Sequence, residues 1–189
     1  RKIKKGEVIF DEGEHLNGVY CISDGVCKVS KMSSNGREQI IHLVNKGDIL
    51  GERSLISDEI SNLKATAIND MEICFIPRDE IIKDLKQNSD FSMNVLKDMA
   101  LSLKNADNLI VDMAQKTVKQ RLAEMLLNLN EKFGSNIDNV LNIHLSREDI
   151  ANIIGTATES AIRLLSEFKK DEIISLKGKN ISLLDTQKL

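Results

Sequence analysis

Residues 145–170 read LSREDIANIIGTATESAIRLLSEFKK, and this stretch decides the fold. Ser146 and Asp149 stand three apart, the spacing of a variant capping box at a helix start. Gly155 ends the short apolar-periodic run that follows, and Thr156-Ala157-Thr158 leads straight into a second amphipathic helix with Ala161, Leu164, Leu165 and Phe168 on its inner face. Two helices that cross closely need a small residue at the crossing, a residue tolerant of positive φ in the turn, and apolar side chains at the contact. Ala151, Gly155, and the set Ile150, Ile154, Ala161 and Leu164 fill those places, so the pattern predicts a helix-turn-helix. With the inner face assigned, Thr158, Glu159, Ile162 and Arg163 point outward near the start of the second helix, where a recognition helix meets base edges. Glutamate can accept from cytosine N4, arginine can fork onto guanine O6 and N7, and isoleucine can touch a thymine methyl. Glu159 and Arg163 are also spaced for a plain intrahelical ion pair.

Working outward, Ile173 to Leu176 and Asn180 to Leu184 flank Lys177-Gly178-Lys179, the pattern of a small hairpin, which in this position is a wing. Ser146, Arg147, Lys177 and Lys179 are then the candidate phosphate contacts. Upstream, Val118 to Leu129 carries one apolar helical face. Before it, Ser89 or Asp90 can cap a long helix in which Leu96, Met99, Leu103, Ala106, Ile110 and Met113 recur at alternating three- and four-residue steps. Such a seam wants a partner, and a second copy of the chain is expected there; a single helix buried within one subunit is the other reading of a pattern only about three heptads long. An offset stripe of Met93, Val95, Ala100 and Leu109 is expected to pack on the chain's own N-terminal part.

The first third turns often. Seven of the ten glycines lie between Gly6 and Gly51, separating short strand-like runs: Glu7 to Phe10, Val19 to Ile22, Val26 to Ser30 and Gln39 to Val44. Ala65 to Ile68 and Met71 to Ile76 follow, and the lone proline, Pro77, ends the series. Many short strands with glycine turns mean a sandwich or barrel. Asp24-Gly25 and Asn35-Gly36 carry the dipeptides of tight hairpins, so the strands are expected to run antiparallel.

Composition bounds the function without announcing it. A chain of 189 residues, 41% hydrophobic and 29% charged with a mean hydropathy of -0.21, is expected to fold as two small globular domains. No apolar run approaches the roughly 20 residues of a membrane span, and Arg1-Lys2-Ile3-Lys4-Lys5 leads into a strand-like run, so a cytoplasmic protein with no membrane role is expected. The net charge of -3 gives no global attraction to nucleic acid. From Leu145 to Leu189, seven Lys and Arg balance seven Asp and Glu, so any attraction has to come from where the charges sit. That balance keeps a second reading open, a ligand-binding module acting through protein partners without reading DNA.

The chain resembles the Crp/Fnr transcription regulators over nearly its whole length. The motifs are Gly6-Glu7-Val8-Ile9-Phe10 with Glu12-Gly13-Glu14, Tyr20-Cys21-Ile22 with Gly25, Gly36-Arg37-Glu38, Gly47-Asp48-Ile49-Leu50-Gly51-Glu52, and the segment from Leu145 to Leu184. The resemblance implies an α+β protein: a double-stranded β-helix (jelly-roll) sensor domain of the cyclic-nucleotide-binding type over 1–89, a dimerisation helix over 90–116, and a C-terminal winged helix-turn-helix over 117–189. It implies a homodimer on double-stranded DNA, with Glu159 and Arg163 at the family's base-reading positions, RNA polymerase as a further partner, and a small-molecule effector.

The sequence departs from the family at the effector. Cyclic-AMP-binding members follow the Gly-Glu turn with an adjacent Arg-Ser or Arg-Thr pair that holds the cyclic phosphate. Here the stretch reads Glu59-Ile60-Ser61-Asn62-Leu63-Lys64, with no arginine and only a point charge at Lys64. Gly51, Glu52, Arg53, Ser61 and Asn62 are the candidate pocket residues, and a cyclic nucleotide is not the expected ligand. Three scattered cysteines are one short of an iron–sulfur set and form no metal-binding pairs, so no metal site is expected; a haem would have to draw on His15, His42, Cys74 or a methionine. Cys21 and Cys27 fall on opposite faces of a two-residue hairpin and are not expected to pair. His15, His42 and His144 are far apart and no nucleophile motif is present, so no enzyme activity is expected.

Overall fold

The computed structural model describes residues 1–189, which form two compact units, Arg1–Asn105 and Ala106–Leu189. The division falls inside a 27-residue helix, Ser89–Gln115.

The first unit contains two four-stranded antiparallel sheets. One orders β1 (Lys2–Ile3), β8 (Met71–Pro77), β3 (Gly18–Asp24) and β6 (Ile49–Leu50); the other orders β2 (Val8–Phe10), β7 (Lys64–Ala67), β4 (Val26–Met32) and β5 (Glu38–Asn45). Ile3, Ile22, Leu50 and Ile73 from the first meet Phe10, Cys27, Val29 and Ala65 from the second in one buried core, as the inner faces of a jelly roll must. The strands follow the alternation of the sequence, but one turn does not behave as its residues suggest. Asn35-Gly36 does join a hydrogen-bonded pair, β4 with β5. Asp24-Gly25 does not make a hairpin, because β3 and β4 belong to different sheets. It is a corner at which Gly25 (φ 90°) passes so close to Met71 that a Cβ would lie 2.3 Å from the methionine Cβ. Cys21 and Cys27 are therefore kept apart by sheet assignment rather than by hairpin register.

The outer side of β4 and β5 carries an ion pair between Lys28 Nζ and Glu38 Oε2 at 2.9 Å, largely shielded from solvent, and Ser30 Oγ donates to the other carboxylate oxygen at 2.7 Å. The Arg37-Glu38 motif thus has a structural use through its glutamate. On the outer face of the first sheet, Val19 packs with α1 (Glu52–Ser57) through Leu55 and with α2 (Arg78–Gln87) through Ile81, joined by Ile76, Ile82, Leu85 and Phe91. Phe91 belongs to the first turn of α3 (Ser89–Gln115), whose start is held by Asn88 Oδ1 accepting from Phe91 N–H, so Asn88 takes the capping role expected of Ser89 or Asp90.

In the second unit, α4 (Val118–Phe133), α5 (Arg147–Ile154) and α6 (Thr158–Lys170) surround a core of Leu122, Leu126, Ile150, Ile154, Leu165 and Phe168, closed by Ile174 and Ile181 of the hairpin β9 (Ile174–Lys177) and β10 (Asn180–Leu183). Both expected caps of α5 are in place: Ser146 Oγ accepts from Asp149 N–H, and Asp149 reaches back to the Ser146 amide. Gly155 ends α5 in the left-handed region at φ 66°, and three residues later α6 begins. No helix is long and apolar enough to cross a membrane.

Candidate functional site

The outward face of α6 is built by what its inward face buries. Ala161, Leu165 and Phe168 are almost wholly buried, which fixes the rotation of the helix. That rotation leaves Glu159 and Arg163 exposed, Ile162 45% exposed, and Thr158 half-buried at the first turn. No side chain caps the start of α6, where Ala157 is the N-cap, so its first amides and the positive end of its dipole remain available to an anion. Arg163 helps hold the Glu167 carboxyl below its usual range, behind the larger effect of Lys119, which donates to Glu167 from α4. The lysine also lies 5.5 Å from the centroid of the Phe168 ring.

The wing carries Lys177, Gly178 and Lys179 at its exposed tip, with Gly178 at φ 62° making the turn. Arg147, the first residue of α5, is tied to that tip: its Nη2 donates to Gly178 O at 2.9 Å. Nη1 is buried without a partner, and burial pushes the guanidinium pKa down from its ordinary value. Ser146 is likewise engaged, its hydroxyl donating to Asp149 Oδ2 at 2.6 Å. Of the four candidate phosphate contacts, Lys177 and Lys179 are therefore free at the surface, whereas Ser146 and Arg147 hold the scaffold on which they stand.

One residue that the sequence did not single out organises the unit. Arg121 on α4 donates through Nε to Ile154 O at 2.8 Å and through Nη1 to Lys116 O at 2.6 Å and Met113 O at 3.5 Å. It thereby satisfies carbonyls at the C-terminal ends of both α3 and α5 that have no helical partner. Its only sequence signal is a polar residue beside the apolar stripe of α4.

The six seam residues of α3 divide in two. Leu96, Leu103 and Ile110 are 59%, 65% and 68% exposed, whereas Met99, Ala106 and Met113 are half-buried. Met93 and Ala100, expected on the inward stripe, lie instead on the exposed side. The outward row therefore runs Met93, Leu96, Ala100, Leu103, Asp107, Ile110, at alternating three- and four-residue steps.

The candidate effector residues do not converge on a phosphate fork. Gly51 starts α1 at φ 89° and Arg53 is exposed. Burial pushes the Glu52 carboxyl above its usual range; Arg53 opposes the rise while Asp98 and Asp48 add to it. Ser61 is buried with its hydroxyl donating to Leu63 O at 2.7 Å, and Asn62 is exposed, its carbonyl accepting from Lys31. No group of three His, Cys, Asp or Glu side chains is arranged to hold a metal ion.

Residues 1–88 match the cyclic nucleotide-binding domain family and residues 120–189 the Crp-like helix-turn-helix domain family. Among curated proteins, the chain is 30% identical over 192 residues to the fumarate and nitrate reduction regulatory protein of Vibrio cholerae, covering 100% of this chain and 76% of that one. It is 27% identical over 187 residues to the CRP-like cAMP-activated global transcriptional regulator of Mycobacterium tuberculosis, covering 98% of this chain and 84% of that one. Among solved structures, FixK2 from Bradyrhizobium japonicum superposes with a TM-score of 0.88 at 26% identity, over 100% of this chain and 93% of that one.

Proposed function

The chain belongs to the Crp/Fnr family of DNA-binding transcription regulators, and from that premise we propose how it reads DNA and assembles. A homodimer sets two α6 helices in successive major grooves of a near-palindromic operator, with half-sites about one helical turn apart. Thr158, Glu159, Ile162 and Arg163 read base edges, Arg163 by a bidentate fork onto guanine. Lys177 and Lys179 contact phosphates from the wing, and Ser146 and Arg147 act behind them by fixing the start of α5 and the wing tip. The observation that carries this reading is the exposed Glu159, Ile162 and Arg163 on a helix whose rotation is fixed by Ala161, Leu165 and Phe168.

The dimer face is the outward row of α3 from Met93 to Ile110, whose apolar side chains, interrupted only by Asp107, a copy of itself can bury. The β-roll answers to a small molecule other than a cyclic nucleotide, because Ser61 and Asn62 supply no cationic fork and the Ser61 hydroxyl is already committed. The regulator acts by binding rather than catalysis, in the cytoplasm where its operator lies. RNA polymerase is its further partner, and Ile137, 98% exposed in a turn that Asn136 holds by accepting from the Asp138 and Val140 amides, is an apolar point on the DNA-reading unit for such a contact.

Selection of duplexes from a random pool followed by titration of the winning operator tests the DNA reading. Arg163→Ala is expected to cost about 1 to 3 kcal/mol on that operator and to relax preference at one symmetric base pair, leaving nonspecific binding largely intact. Full sequence preference in Arg163→Ala would show that α6 is not the reading helix.

A further inference from the structure

None of the three cysteines is in a disulfide, and two of them meet across the first sheet. Cys21 on β3 stands directly opposite Cys74 on β8 in the antiparallel register. Around this pair, Ile22 N–H donates to Asp48 O toward β6, and Ile73 N–H donates to Arg1 O toward β1. Successive residues of a strand turn their amides to opposite sides, so Cys21 and Cys74 turn theirs toward each other and form a hydrogen-bonded pair. Such pairs have Cα atoms about 5.5 Å apart, inside the span a disulfide bridges. Their neighbours Ile22 and Ile73 point into the core, which sends both thiols to the outer face. Cys74 is exposed and Cys21 half-buried. Burial pushes the Cys21 thiol up, and the adjacent Cys74 thiol pushes it further.

We propose that Cys21 and Cys74 form a dithiol modification site that hydroperoxides convert reversibly into a cross-strand disulfide. The exposed Cys74 is the attacking thiol. Its sulfur displaces hydroxide from hydrogen peroxide as the O–O bond breaks; the leaving oxygen takes the thiol proton and departs as water, and Cys74 becomes a sulfenic acid. The Cys21 sulfur then attacks the Cys74 sulfur, the S–S bond forms as the S–O bond breaks, and a second water leaves. The two thiols give up two electrons and the peroxide accepts them. Two equivalents of a small thiol such as glutathione reverse the change and become their own disulfide.

The strand geometry makes this bond a labile one. Opposed Cβ atoms in a hydrogen-bonded pair lie near the upper end of a range of about 4.5 to 5.5 Å, whereas a relaxed disulfide needs about 3.8 Å, so closure draws the strands together and stores strain that favours reduction. The next row on the same face, Val19 opposite Ile76, packs with Leu55, Ile81 and Phe91, so the drawn-in strands adjoin the packing that seats the start of α3.

The test is alkylation counting on the full chain. Reduced protein is exposed to hydrogen peroxide, unfolded, labelled with N-ethylmaleimide and weighed intact, and the linked peptides are sequenced. The expected result is one label per chain, on Cys27, in place of the three carried by reduced protein, with a peptide joining Cys21 to Cys74 and all three labels restored by reduced glutathione. In Cys74→Ser, an exposed change that leaves the core untouched, the intrachain link is lost entirely. Three labels surviving peroxide, a sulfinic acid on Cys74 without the link, or a chain-to-chain disulfide in its place would each overturn the proposal.

Discussion

Leu103 is 65% exposed at the middle of the outward row of α3, so most of its apolar surface remains to be buried by a partner. Truncation to alanine removes three carbons, each worth about 0.8 kcal/mol when buried. Scaled by the exposed fraction, the loss is about 1.5 kcal/mol per copy. A two-fold interface contains the residue twice, so Leu103→Ala is expected to weaken the dimer by about 3 kcal/mol, roughly two orders of magnitude in Kd. Leu101 is 56% exposed but lies off the row, and Leu101→Ala removes the same three carbons with little effect on assembly. Replacing Leu103 and Ile110 together with Glu sets unpaired charges against each other across the seam and is expected to give monomers. Sedimentation velocity over a dilution series reads all three. A Leu103→Ala dimer as tight as the parent, or an equal loss from Leu101→Ala, would refute the assignment of this face.

Three further outcomes are expected. Lys179→Ala should weaken binding to every duplex similarly and lower the slope of log affinity against log salt by about one unit for each phosphate left without its lysine, measured by fluorescence anisotropy at several salt concentrations. Glu52 is held above its usual pKa by burial, so the folded state binds its proton more tightly than the unfolded chain; its contribution is present at low pH and is lost as pH rises through the folded value. Glu52→Gln should therefore be more stable than the parent at neutral pH, with the difference vanishing on acidification, and urea melts showing a less stable variant at neutral pH would reverse this account of the carboxyl. Arg121→Lys should lower stability by about 1.5 to 3 kcal/mol, because an ammonium cannot span the carbonyls of two helix ends as a guanidinium does, and an unchanged denaturation midpoint would count against the junction.

The winged unit was legible because its signals are local. Ser146 and Asp149 cap a helix three residues apart, Gly155 ends it, and the apolar period of α6 fixes which side chains face out. The β-roll was legible as strands but not as sheets, since the positive φ of Gly25 serves a corner as well as a hairpin, and only long-range pairing with β8 and β6 places β3. On α3, several rows are apolar enough to be a seam, and the row that stays exposed is decided by what covers the others, so Met93 and Ala100 lie on the side opposite to the expected one while Leu96, Leu103 and Ile110 fall on the outward row. Cys21 and Cys74 are 53 positions apart, and no local pattern announces that a register will set them face to face.

The three bonds of Arg121 also bear on modularity. Chimeric regulators join one sensor to another's DNA-reading module, and the joint between α3 and α4 at Lys116-Thr117 is the obvious place to cut. A cut there would part Arg121 from the carbonyls of Met113 and Lys116 that it anchors, leaving a charged fork to find new partners in a foreign helix end. The transplantable piece begins earlier, near Ala106, where the second compact unit starts, and carries the last turns of the long helix with it as part of the cargo.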